Sequence, residues 1–198
     1  MRVTRAEAEK NRERIIETAA RLFRERGFDG IGVAELMKVV GLTHGGFYGH
    51  FSSKEDLMAQ ACEHAMKRSL DALQHAAENG GEHALSAVAS TYLSATHRDQ
   101  PADGCMLAAL GAEAARHDSP VRSVFTKGVR SVVDALTEVL PGESIENKRE
   151  RALTIYASMV GAIVLARAVD DADLSEEVLK SVLASIASPD SPRADTAD

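Results

Sequence analysis

Gly41-Leu42-Thr43-His44-Gly45-Gly46-Phe47-Tyr48-Gly49-His50-Phe51 gathers a turn signal, two aromatic residues four apart and three further glycines into eleven positions. Just upstream, Val33, Leu36, Met37 and Val40 recur at i, i+3, i+4 and i+7, which predicts a short helix over 33–40 with one buried face. Gly41 can take the left-handed conformation that ends it, and the Thr43 hydroxyl is placed to cap a second helix. Gly45, Gly46 and Gly49 each cost that helix about 1 kcal/mol relative to alanine. Phe47 and Phe51 share a face, and their packing on the preceding helices can hold it. Helix, glycine turn, helix is the helix-turn-helix arrangement.

In that arrangement the second helix enters the DNA major groove and the first crosses the phosphate backbone. A bare glycine surface lets backbone amides, Thr43, His44, Tyr48 and His50 approach phosphates and base edges. Few side chains are free to read bases, chiefly His44 with Thr43 and Tyr48, so shape and phosphate positioning should carry much of the specificity. Ser52 and Ser53, followed by Glu55 and Asp56, announce a further helix, and Lys54 stands at its anion-attracting end.

Gly27-Phe28, Val33-Ala34-Glu35-Leu36, Gly41-Leu42-Thr43 and the run from Phe47 through Lys54-Glu55-Asp56-Leu57 resemble the N-terminal domain of TetR-type repressors, over about residues 10 to 60. The resemblance implies that Thr43, Tyr48, His50 and Lys54 touch phosphates while Gly45 and its neighbours permit close approach to the groove. It also implies a body that binds a small-molecule effector and releases DNA. One position departs from the pattern: Gly32 stands where the family often has a hydroxyl-bearing cap, so that phosphate contact is missing.

The chain has 198 residues, 44% of them apolar, and a net charge of -7. Residues 1–54 nevertheless hold ten lysines and arginines against seven acids, so the negative charge is concentrated in the remainder, as for a basic reading head on an acidic body. No N-terminal segment has the apolar core of a signal peptide, and the uncharged stretch between Arg151 and Arg167 is fifteen residues, short of a bilayer span. With two cysteines only, Cys62 and Cys105, the chain reads as cytoplasmic, without membrane, metal or other cofactor and without catalytic residues. Glu113 and His117, four apart, read as a surface ion pair rather than two metal ligands.

The first ten residues lack apolar periodicity and read as a frayed arm, either ordered on DNA with Arg2 and Arg5 near phosphates or disordered. Ile15, Ala19, Leu22 and Phe23 mark a helix over 11–26. Further helices are expected over 54–77, 83–96, 105–117 and 119–140, the last closed by Pro141-Gly142, so the fold class is all-α. Over 152–166 apolar groups occupy every side, which demands burial all round. A second subunit supplies it most simply, with Ala157, Gly161 and Val164 on this helix and Leu179 and Val182 on a helix over 174–187 forming a homodimer that places two heads on a palindromic operator; a central core helix of a monomer is the other reading. The domains are then a helix-turn-helix head at 1–52, an effector-binding and dimerisation body at 53–187, and a disordered tail at 188–198.

Effector-lining candidates are Met66, Tyr92, Cys105, Met106, Phe125, Val129, Tyr156 and Met159, although Met and aromatic residues at helical spacing are also what any core contains. Cys105 follows Asp103-Gly104 at a helix start, where the dipole favours thiolate and Asp103 opposes it. Gly104-Cys105-Met106-Leu107 resembles the segment of TetR-type regulators that sense electrophiles or oxidants through a cysteine; a small buried residue beside an ordinary pocket is the other reading. The sequence is thus that of a ligand-responsive DNA-binding regulator. A helical homodimeric interaction module without sequence-specific DNA binding is the alternative.

Overall fold

The computed structural model describes residues 4–117, 120–141 and 144–187; the expectations for Arg2, Ser119, Gly142 and the 188–198 tail lie outside them. Among the described residues every regular element is helical. Helix α1 spans Arg5–Arg26, α2 Val33–Val40, a 3-10 segment His44–Gly49, α3 Lys54–Gly80, α4 Ala84–Tyr92 and α5 Ala95–Asp99. Then come α6 at Met106–Ala114, α7 at Val121–Val139, α8 at Ile145–Ala168 and α9 at Ala172–Ala187.

The frayed-arm expectation fails from residue 4 onward. Thr4 caps α1 by accepting the Glu7 amide, and the Glu7 carboxylate accepts the Thr4 N–H at 2.9 Å, a reciprocal box that satisfies two free amides and starts the helix six residues early. Helix α2 falls at the predicted bounds. Its last turn closes on Gly41, whose φ of 80° lies in the left-handed region, with Gly41 N–H donating to Lys38 O and Leu42 N–H to Met37 O.

Helix α3 is 27 residues long, about 40 Å at 1.5 Å per residue, and it packs on α1, α4 and α7, tying the N-terminal helices to the rest. The helix predicted over 83–96 is broken. Ser94 starts a new helix by accepting the His97 amide, and the His97 ring occupies the Tyr92 carbonyl that would have continued the old one.

Two apolar clusters form the core. The first joins Ile15, Phe23, Phe28, Leu36, Phe47 and Leu57 to Met106, Leu110 and Phe125, with α6 packed on α1 and α3 and α7 packed on α3. The second gathers Leu73, Val88, Tyr92, Cys105, Leu136, Tyr156, Met159 and Leu179. Helix α8 is 24 residues, longer than its uncharged stretch suggested, and is long and apolar enough to cross a membrane by length and composition alone. In this fold it is buried on one face only. Ala152, Tyr156, Met159, Ile163 and Ala166 point inward, while Leu153, Ala157, Val164 and Leu165 are exposed.

Candidate nucleic-acid interface and effector cavity

The second element of the helix-turn-helix is a 3-10 segment rather than an α-helix. Three glycines in six residues forfeit side-chain packing and backbone entropy alike, and only Phe47 of the segment is buried, stacked at 5.4 Å on Phe51. Thr43 does not cap through its hydroxyl as expected. In the tighter winding the Gly46 amide reaches the Thr43 carbonyl instead, at 3.0 Å. The hydroxyl is left on the surface.

Around this anchored pair the segment turns its polar groups outward. Thr43, His44, Gly45 and Tyr48 are exposed, Tyr48 to 66%, and the His44 and Tyr48 rings meet edge to face at 5.9 Å. A Cβ placed on Gly45 or Gly49 would meet nothing within 4 Å. Nothing inside the chain therefore requires glycine there, and the bare surface is available to something outside it. His50 and Lys54, just downstream in the chain, are half-buried. Lys54 is the first residue of α3, where Ser53 accepts the Asp56 amide and Asp56 accepts both the Ser52 N–H and its hydroxyl. Of the six residues singled out in the sequence, four are exposed and two, His50 and Lys54, are half-buried.

Long-range ties that sequence spacing does not reveal fix this face. Arg14 Nη2 donates to the Val40 carbonyl at 2.8 Å, satisfying an orphan at the end of α2. The Arg12 guanidinium sits 5.5 Å from the Phe51 ring centroid and also pairs with the Gln60 side chain. Glu113, expected in a surface ion pair with His117, instead accepts the Phe28 amide at 2.8 Å, and His117 packs its ring on Phe28 at 5.2 Å. The unpaired N–H in the turn after α1 is the stronger attraction for a half-buried carboxylate.

The expected effector residues do not share one wall. Tyr92 and Cys105 line a cavity of about 320 Å³ between α1, α3, α4 and the 94–105 segment. Phe125 and Val129 line a separate surface cleft beside Leu107 and Gly111. Met66, Met106, Tyr156 and Met159 are packed in the core.

Cys105 sits just before α6, 4% exposed. Its amide donates to His97 Nε2 at 2.9 Å, which fixes that nitrogen as unprotonated, so Nδ1 carries the proton and donates to the Tyr92 carbonyl at 2.6 Å. Burial lowers the His97 pKa and keeps the ring neutral. Tyr92 and Tyr156 belong to the same apolar cluster as Cys105, and burial first, with Cys105 adding to it, raises both phenol pKa values. Arg167 ties the same loop down by donating to the His97 and Arg98 carbonyls. Asp103, expected to oppose a thiolate, is engaged by Arg21 at 2.6 Å. Cys62 is different in kind: it is fully buried, and desolvation pushes its thiol up to about 12.

A short helix, a left-handed glycine turn and an exposed, aromatic-anchored second element, carried on a long helix into an all-helical body with a cavity, define a helix-turn-helix regulator. Residues 15–61 match the family model of bacterial regulatory proteins of the tetR family, and residues 81–181 match the C-terminal domain of LmrA/YxaF-like transcriptional regulators. The chain belongs to the TetR family of DNA-binding transcriptional regulators. It is 28% identical to the HTH-type transcriptional repressor NemR of Escherichia coli, over 90% of this chain and 94% of that one. The crystal structure of the reduced form of E. coli NemR superposes with a TM-score of 0.75 at 26% identity, covering 89% of this chain and 95% of that one. A TetR-family regulator from Cytophaga hutchinsonii shares the fold, with a TM-score of 0.76 at 23% identity over 90% and 96% of the two chains.

Proposed function

We propose that this protein is a cytoplasmic, homodimeric repressor that holds a palindromic operator through Thr43, His44, Gly45, Tyr48, His50 and Lys54, and releases it when Cys105 is modified or a small molecule enters the body. The head is taken to end near residue 52 and the effector and dimerisation body to run from 53 to 187. The observation that carries the reading is the exposed, glycine-bare surface of 43–49, anchored from beneath by Phe47 and Phe51. That the similar NemR is named a repressor and has been solved in a reduced form supports the two finer parts, repression and a thiol response.

The division of labour within the face has a direct test. Lys54→Ala should weaken binding to cognate and random duplex alike, by about three- to tenfold, and lower the salt slope by about one, because it removes a phosphate contact. His44→Ala should relax preference at one operator position, worth about 1–3 kcal/mol, and spare random duplex. Anisotropy titrations across a salt series read both. Identical effects of the two substitutions on both DNAs would contradict the assignment.

Cys105 couples to the head through its own loop. Arg21 and Arg24 of α1 grip Asp103 and the Ala102 carbonyl at 2.6 Å each, two and three residues before the thiol. Modification of the thiol adds bulk beside this loop and to the cavity it lines, and the loop is bonded to α1 of the DNA-binding head. Fluorescence anisotropy on DNA upstream of the gene should therefore show tight binding by the reduced wild type, loss of at least about tenfold in affinity after one equivalent of a thiol electrophile, and no such loss in Cys105→Ser. Equal loss in wild type and Cys105→Ser would remove Cys105 from the mechanism. Salt-insensitive binding with no preference for any palindrome would instead favour an interaction module.

A further inference from the structure

The hydrogen bond that Arg24 donates to the Ala102 carbonyl uses its Nε–H but does not account for its buried charge. Arg24 lies on α1 one turn after Ala20, and both line the cavity that also holds Tyr92 and Cys105. The side chain is 9% exposed, its Nε donates to the Ala102 carbonyl, and among the described residues it forms no ion pair. Buried charges are ordinarily matched by a counter-charge, because desolvation of an isolated ion is costly. The nearby carboxylates are already committed: Asp103 to Arg21 at 2.6 Å, and Glu17 to Arg68 at 3.9 Å. Of Arg21, Arg24 and Arg68, the buried Arg24 is the one without a carboxylate partner among the described residues.

The surroundings agree with that charge count. Burial lowers the Arg24 pKa to about 10, with Arg68 and Arg21 adding to the effect and Asp103 opposing it, so the group is still a cation at neutral pH in an environment that does not fully compensate it. His97, which also lines the cavity, is held neutral by burial. Tyr92, another lining residue, has a buried hydroxyl with no hydrogen-bond partner among the described residues. Ala65, Ala72 and Leu73 supply an apolar surface between these polar groups. A cavity of about 320 Å³ in which Ala65, Ala72 and Leu73 lie among polar groups, and whose one buried cation has no ion-pair partner among the described residues, is matched by a ligand with an apolar body and a single negative charge.

We propose that this cavity binds a small organic carboxylate, its anionic end on Arg24 and its apolar body against Ala65, Ala72 and Leu73. The site spans the DNA-binding head and the body, because Arg24 belongs to α1 and the apolar surface to α3. A carboxylate there draws on the same guanidinium that holds the Ala102 carbonyl, so occupancy bears on the link between head and Cys105 loop without any covalent step. The proposal does not rest on the thiol reading.

Isothermal titration calorimetry of the reduced full-length protein, without DNA or thiol reagent, tests it with 2-naphthoate, octanoate and the neutral 2-naphthamide as probes. At least one carboxylate should bind, and 2-naphthamide should bind at least about tenfold more weakly than 2-naphthoate, since a charge-assisted pair is replaced by a neutral one. Arg24→Met should lower carboxylate affinity at least about tenfold and leave the amide unchanged, whereas Arg24→Lys should retain a preference for the acid. If Arg24→Met does not fold, judged by circular dichroism, the acid-to-amide ratio on wild type and Arg24→Lys decides. Failure of both carboxylates to bind, equal affinity for acid and amide, or undiminished binding by folded Arg24→Met would each overturn the proposal, whatever the outcome on DNA.

Discussion

Replacing Phe47 by alanine should destabilise the fold by about 3–5 kcal/mol and abolish specific DNA binding, although the residue touches no DNA in the proposed complex. The 3-10 segment that carries it has almost nothing else to hold it in place. Three of its six residues are glycine, its N-cap makes no side-chain hydrogen bond, and Phe47 is its one buried side chain, 1% exposed. The ring stacks on Phe51 and meets Tyr48 edge-on at 5.2 Å, and the Phe47 carbonyl accepts the amides of both His50 and Phe51. Removing the ring therefore opens a cavity where α1, α2 and α3 converge and frees the segment that presents Thr43, His44 and Tyr48. Tyr48→Ala is the control: it removes an exposed ring, should change stability by less than about 0.5 kcal/mol, and should lower DNA affinity alone. Urea unfolding with anisotropy on the same preparations separates the two. An unchanged unfolding midpoint in Phe47→Ala would show that the segment is held by something other than this ring.

The sequence made α2 legible to the residue because four apolar positions at helical spacing end on a glycine, and local signals sufficed. Thr4 and Glu7 carried an equally local signal, a capping box, that charge-rich surroundings concealed. The 3-10 winding at 44–49 was half legible: the glycines told against an α-helix, but the family pattern suggested one. The break after Tyr92 was not legible, since it depends on a His97 ring bond to the Tyr92 carbonyl that no periodicity reports. Candidate site residues divide in the same way. Those over 43–54 lie within one short segment, and chain order alone brings them together. The effector candidates come from α3, α4, α7, α8 and the start of α6, and whether they meet depends on how those helices cross. Tyr92 and Cys105 do meet; Phe125 and Val129 face elsewhere. Arg24 was passed over because a charged residue beside Phe23 reads as a solvated position, and only tertiary packing buries it.

Val164→Glu should convert the protein from dimer to monomer at micromolar concentration and lower affinity for a palindromic operator by about 100-fold or more, while leaving the subunit folded. Helix α8 presents Leu153, Ala157, Val164 and Leu165 as an exposed apolar stripe, with Leu165 57% and Leu153 46% exposed, although the opposite face of the same helix is fully packed. A Cβ on Gly161, in the middle of that stripe, would meet nothing within 4 Å, so the gap is open to another backbone. A glutamate at 164 would have to be desolvated without a counter-ion if the stripe meets its own copy across a two-fold axis, and it would face a second glutamate there. Two heads linked through such an interface gain from effective concentration on a palindrome, and the separated subunits keep only half-site affinity. Leu179, grouped with the dimer residues in the sequence reading, is 3% exposed and belongs to the chain's own core. Leu179→Asp should therefore unfold the subunit rather than split a dimer, and the contrast identifies which loss is which. Light scattering after size exclusion, with anisotropy on a palindrome and on a single half-site, reads mass and affinity together. A folded Val164→Glu that remains a dimer with full operator affinity would move the interface off this face of α8. If the variant is instead monomeric with half-site affinity intact, the exposed stripe, and not the recognition surface, is what gives the operator its two-fold symmetry.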